Sequence, residues 1–267
     1  LQIGGRLGEL KLSHNNPSES TMPRFMLNDQ HWAKLAPIFM QHDIYHKPNL
    51  RLTVEAMLYR MRVGCPWRDL PPEFGRWNSL YKRYNDWSAK GIFQRIFRTL
   101  SADSDTEWVF IDGSYVKAHQ HSAGAASHDQ EAIGLSRGGK TSKIHLAVDG
   151  YGLPIAFEIT GGEVHDAKAA PDLLAQVSIG AMLIADTGYD SQAIRDSVEL
   201  SGKATSIPRR KNSKIGNSGL DKCMYSLRHL VENMFARLKH FRAIATRYDK
   251  LKRNFVSLVA LDRKSVV

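Results

Sequence analysis

The chain has 267 residues, enough for two modest domains or one with an extension, and its 42% hydrophobic and 24% charged composition is ordinary for a globular protein. Its 37 Lys and Arg against 27 Asp and Glu leave a net charge of +10, which fits either a polyanionic partner or a solvated basic surface. No apolar run reaches the roughly 20 residues of a membrane span, no secretion signal opens the chain, and Cys65 and Cys223 form no CxxC motif, so a reducing cytoplasm suits it.

Residues 1–22 show no clear period and read as a non-native or disordered leader. From 23 to 100 the apolar spacing is helical. Asn28 and Asp29 are candidate N-caps for DQHWAKLAPIFM, LTVEAMLYRMRVG ends at Gly64, and three prolines hold CPWRDLPPEFG in a loop. RWNSLYKRYNDWSAKG follows with a stop at Gly91, then IFQRIFRTL. Between Arg76 and Arg98 stand six cations and one acid, Asp86. A small all-α, helix-turn-helix-like unit of this kind suits DNA, with Arg76, Lys82 and Arg83 as contacts. The pattern equally suits a plain bundle whose Trp77, Tyr81, Tyr84 and Trp87 are core, and both readings stay open.

Residues 101–107 read as a linker, after which the period changes. WVFIDGSYV is strand-like, with Asp112 at its end. KIHLAVDG and LPIAFEITGG suggest a hairpin about Gly150 and Gly152, and DAKAAPDLLAQV is helical. AMLIADTGYD is a buried strand ending in Asp186, SQAIRDSVEL a helix, KATSIP a short strand, and 224–241 one long helix. Strands that meander and then alternate with helices predict an α/β domain over 108–255, a mixed sheet flanked by helices.

GLSRGGKT (134–141) matches the spacing of a phosphate-binding loop. Such a loop needs a strand before it and a helix N-terminus after it. Here TSKIHLAVDG alternates apolar and polar residues like a strand, so no nucleotide is expected. Arg137 and Lys140 fit a loop that touches backbone phosphates.

Three acids stand apart. Asp112 and Asp186 each follow an apolar strand, and either alone is a turn residue first. In YSLRHLVENMFARLKHF, a helical wheel puts Tyr225, Arg228, Glu232 and Lys239 on one stripe opposite Leu227, Leu230, Met234, Leu238 and Phe241. That stripe is either a solvated face or an acid that holds a metal between cations that hold a strand. Phosphoryl transfer on DNA uses two hard divalent ions, and hard ions need carboxylate oxygens. Asp166, ahead of a helix, reads as its N-cap. His119, His121 and His128 lie in a loop that fixes no zinc geometry.

These residues resemble the bacterial insertion-sequence transposases of the DDE superfamily, specifically the insertion-sequence-five group. Tyr225, Arg228, Glu232 and Lys239 match the family signature without departure. VFIDGSYVKAHQH and LIADTGYD resemble the segments of the two catalytic aspartates, and RLTVEAMLYRMRVGCPWRDLP resembles the N-terminal helical domain. The resemblance implies a ribonuclease H-like catalytic fold. Asp112, Asp186 and Glu232 are implied as catalytic and metal-holding residues for two Mg²⁺ or Mn²⁺ ions. Tyr225, Arg228 and Lys239 are implied as contacts to DNA ends. It further implies cleavage that leaves a 3′-OH, attack of that hydroxyl on target DNA, double-stranded DNA as partner, a homo-oligomer on it, and a cytoplasmic, nucleoid-associated setting. An inactive DNA-binding remnant or regulator is the alternative. The family's apolar C-terminal helix breaks off here into DRKSVV, so 256–267 are expected to be a truncated or foreign tail.

Overall fold

The computed structural model describes residues 24–45, 47–122, 124 and 131–261. The leader expected over 1–22, His128 and the DRKSVV ending lie outside them. Four helices come first: α1 (Asp29–Gln41), α2 (Leu50–Val63), α3 (Trp77–Ala89) and α4 (Ile92–Ser101). The Asn28 side chain accepts from the His31 N–H and so caps α1, as a short polar side chain does best. Gly64 ends α2 at φ 74°, a left-handed conformation that costs glycine little. On α3, Tyr84 and Trp87 are buried while Trp77 and Tyr81 are exposed on one side, Trp77 with the Arg68 guanidinium 5.4 Å over its ring and Tyr81 5.8 Å from the Trp67 ring. Arg83 points back to α2 and donates to Thr53 Oγ1 at 2.8 Å.

Among the described residues seven strands then build one mixed sheet: β1 (Trp108–Ala118), β2 (Gly134–Ser136), β3 (Gly139–Val148), β4 (Pro154–Gly161), β5 (Met182–Ala185), β6 (Ala204–Ser206) and β7 (Thr246–Arg247). β1, β3 and β4 run antiparallel, and β5 and β6 continue the sheet in parallel from β1. The further helices among the described residues are α5 (Asp166–Leu174), α6 (Gln192–Leu200), α7 (Lys222–Ser226), α8 (His229–His240), α9 (Arg242–Ala245) and α10 (Lys252–Leu261). This is the expected α/β arrangement, a mixed sheet flanked by helices and preceded by a small all-α unit.

Strand periodicity sorts the core. Val109, Ile111, Ala147, Leu183 and Ala185 face α5 and α6, packing with Ala170, Leu173, Ile194 and Val198. The alternate residues Phe110, Leu146, Val148 and Ile184 face α8 and pack with Val231, Met234 and Leu238. Burial on both faces is why these strands read as unbroken apolar runs. The second cluster also takes in Phe39, Met57, Tyr84, Trp87 and Phe97, so the N-terminal helices and the sheet share one core.

One local expectation holds and two are corrected. GLSRGGKT is the tight β2–β3 hairpin, with Leu135 opposite Lys140, and no helix follows it. Residues 224–241 are two helices, because the chain tightens to three-residue hydrogen bonds at Leu227, Arg228, Leu230 and Val231. Val256–Leu261 continue α10, whose Phe255, Leu258, Val259 and Leu261 are buried against α3 and α4. Among the described residues no helix is long and apolar enough to cross a membrane.

Candidate active site

Sheet register brings the first two acids together. β1 and β5 pair in parallel with Ile111 opposite Ala185, so Asp112 and Asp186 are the next residues on adjoining chains. Asp112 does not end its strand as expected; it lies inside β1, opposite Leu146 of β3. What stops there is the neighbour, β5, and the sheet opens at that point. Such crevices beyond the carboxyl ends of parallel strands are where open α/β sheets bind ligands. Asp186 leaves β5 and starts a single turn, Thr187–Tyr189, by accepting from the Gly188 N–H at 2.8 Å.

The third acid comes from the helix. Asp112 shares the sheet face of Phe110, the face that α8 covers, and Glu232 stands in the first turn of α8. Arg228, just ahead of α8, ties all three together. Its guanidinium lies 3.6 Å from Asp112 Oδ2 and 4.0 Å from Asp186 Oδ2, and it pairs closely with Glu232. The break between α7 and α8 puts this arginine at a helix start, where its side chain can reach back to the strand ends. The same guanidinium lies 5.8 Å from the Tyr225 ring centre, and Lys239 Nζ donates to Ser114 Oγ at 2.6 Å, two residues beyond Asp112 on the same face. Tyr225, Arg228, Glu232 and Lys239 therefore stay grouped despite the broken helix.

Burial pushes the Asp112 carboxyl up to about 6; Arg228 and the Gly113 N–H oppose the rise, while Asp186 and Asp166 add to it. The acids converge on Arg228, and among the described residues no three His, Cys, Asp or Glu side chains form a ready metal cage. His119 stacks on Tyr248 at 4.5 Å, a packing role for that ring.

Residues 27–97 match a family described as "Putative transposase of IS4/5 family", and residues 103–261 match one described as "Transposase DDE domain". The chain belongs to the DDE transposases. A "Putative transposase for insertion sequence element IS6501" from Brucella ovis is 32% identical over 121 residues, 45% of this chain and 93% of that protein. "Uncharacterized protein y4sN" from Sinorhizobium fredii is 39% identical over 79 residues, 30% of this chain, which spans 63% of that relative's length. A piggyBac transposase synaptic complex with hairpin DNA shares 12% identity at TM-score 0.36, over 71% of this chain and 43% of that one. A pre-cleavage Mos1 transpososome shares 11% identity at TM-score 0.27, over 92% and 88% of the two chains.

Around its three acids the transposase carries groups that the sequence left unread. Asp166 is not the cap of α5. His165 is, accepting from the Ala167 N–H at 3.2 Å, and the Asp166 carboxylate reaches inward to Lys143 Nζ at 2.6 Å and His145 Nδ1 at 3.3 Å. Burial raises its pKa, but His145 and Lys143 outweigh burial and hold the carboxyl below its usual range. A basic loop joins β6 to α7. Arg210 N–H donates to Asp190 Oδ2 at 2.9 Å and its guanidinium meets His165 Nε2 at 3.0 Å, which ties the loop to the residue after the Thr187–Tyr189 turn and to the start of α5; Lys211 and Lys214 remain exposed on it. The composition RRKNSK was the available signal. Arg137 and Lys140 are exposed on the β2–β3 hairpin, Arg76 just ahead of α3 and Lys82 on it, elements separate from those of the acids.

Proposed function

We propose that this transposase binds the ends of its insertion element and cuts and rejoins DNA there, with Asp112, Asp186 and Glu232 holding two divalent cations, Mg²⁺ or Mn²⁺. The observation that carries the reading is the gathering of three acids from three separate elements around one guanidinium, a pocket that attracts positive charge. The donor set fits such ions. It is all carboxylate oxygen, and Mg²⁺ keeps several waters, so a partial protein cage suffices. Asp112, buried beside other acids and slow to give up its proton, is short of positive charge, which a cation supplies. When bound, the ions contribute Lewis-acid activation of the phosphate and of the attacking and leaving oxygens.

The chain's own residues do the binding and orienting. A guanidinium matches phosphate as well as carboxylate through its planar fork, so Arg228 exchanges the acids for the DNA strand when these hold cations. Tyr225 and Lys239 flank it and fix the strand at the cut. Lys211 and Lys214, with Arg76, Lys82, Arg137 and Lys140 further out, neutralise phosphates of duplex DNA, while Arg83 stays engaged with Thr53. Water attack leaves a 3′-OH at the element's end, and that hydroxyl attacks target DNA in line. Copies of the chain pair on the two ends, on nucleoid DNA in the cytoplasm.

Mg²⁺-dependent nicking of a fragment carrying the element's own ends is the test. Asp112→Ala, Asp186→Ala and Glu232→Ala are each expected to cut nicking by more than about a hundredfold while DNA binding persists. Undiminished nicking removes that residue from the site. A wild-type chain that binds the ends without nicking them is a DNA-binding regulator instead.

A further inference from the structure

Two glycines adjoin the strand-borne acids, and both face the same carboxylate. Because Asp112 turns toward α8, Gly113 turns toward α5. A Cβ on Gly113 would lie 2.5 Å from Asp166 Oδ1 and 2.8 Å from Lys143 Cε. A Cβ on Gly188 would lie 2.9 Å from Asp166 Oδ2 and equally far from Asp186 Oδ1. The Asp166 carboxylate thus fills the space beside the backbone next to each acid, from the sheet face opposite Arg228.

The carboxylate is anchored from below. Lys143 and His145, both buried, are alternate residues of β3 on the α5 face, and both reach it. His145 carries the network on, with Nε2 2.9 Å from Thr160 Oγ1 and Nδ1 3.4 Å from the hydroxyl of Tyr189. Tyr189 closes the turn that Asp186 opens. Burying a lysine and a carboxylate costs desolvation that apolar side chains of the same volume avoid, so packing alone does not call for this set.

We infer that Asp166 is a positioning residue, anchored by Lys143 and His145, whose carboxylate braces the backbones of Gly113 and Gly188 and so sets how Asp112 and Asp186 face each other. Gly113 and Gly188 lack side chains because Asp166 stands where those would go. The inference rests on the reading of Asp112 and Asp186 as cation-holding and deepens it.

The test is Mn²⁺ titration of the full chain without DNA, followed by the spin resonance of free Mn²⁺, alongside thermal melting. Asp166→Asn and Gly188→Ala are each expected to weaken Mn²⁺ binding about tenfold, the usual scale for groups that orient metal ligands. Asp166→Asn strands the Lys143 charge and lowers the melting temperature, so the charge-balanced double variant Asp166→Asn, Lys143→Met is included. It is expected to melt near wild type yet stay about tenfold weak for Mn²⁺. Wild-type affinity in Asp166→Asn overturns the inference. So does full recovery of affinity in the double variant, which leaves Asp166 only the task of neutralising Lys143. Asp112→Asn separates the two levels: if it weakens binding and the Asp166 variants do not, positioning fails alone. If none weakens binding, the reading of the acids fails with it.

Discussion

Asp112 ties the site to pH. Its carboxyl is pushed from an ordinary 3.8 up to about 6, chiefly by burial, so the folded chain holds that proton more tightly than the unfolded one. The stability linked to this proton is therefore full below about pH 4, is lost as pH rises to about 6, and stays lost above that. Asp112→Asn is expected to raise the melting temperature of the metal-free chain at pH 8 by about 3–6 °C, with no gain at pH 4. Equal melting of both proteins at pH 8 would show that Asp112 is ionised at little cost. Positions 112 and 186 were legible as a pair because each follows an apolar run, VFI and LIA. The role of Asp166 was not, since an aspartate ahead of a helix is a cap far more often than an inward-facing partner, and only Lys143 and His145 on another strand distinguish the cases.

At the scale of elements, the loop between β6 and α7 makes its own prediction. Lys211 and Lys214 are exposed on a loop held by Asp190 and His165, so truncating them removes charge without touching the core. Lys211→Ala with Lys214→Ala is expected to weaken DNA binding and to reduce the slope of log affinity against log salt by roughly two, one per lost phosphate contact. An unchanged slope would place those lysines off the DNA. The stripe of Tyr225, Arg228, Glu232 and Lys239 was legible from helical spacing, and the grouping survives although the helix does not. The break was hidden because nothing in YSLRHLVE marks a stop: there is no proline or glycine, and the tightening at Leu227–Val231 comes with Arg228 turning toward acids on distant strands.

Across the whole molecule, a buried ion pair joins the N-terminal helices to the segment ahead of α10. Arg60 of α2 meets Asp249, just before α10, at 3.4 Å, and Tyr84 of α3 donates to the Asn254 carbonyl at 2.5 Å. With one hydrophobic cluster running through both regions, unfolding is expected as a single cooperative transition, coincident by near- and far-ultraviolet circular dichroism. Arg60→Ala removes the ion-pair partner of the buried Asp249, leaving the charge of nearby Arg247 as partial compensation, and is expected to cost about 3 kcal/mol in denaturant unfolding, melting both regions together. A low-temperature transition confined to the helical signal would mean that the N-terminal helices unfold independently.

By itself the sequence determined the element types, the β3–β4 hairpin, the rejection of a phosphate loop and the three acids worth watching. These follow from periodicity and turn chemistry, which each segment carries within itself. Tertiary structure alone decided that Asp112 sits where its neighbour strand stops, that one arginine gathers all three acids, that Asp166 looks inward, and that Val256–Leu261 belong to the core. Each of those depends on which partner a face meets, and a segment's own pattern records that it has a buried face without recording what covers it.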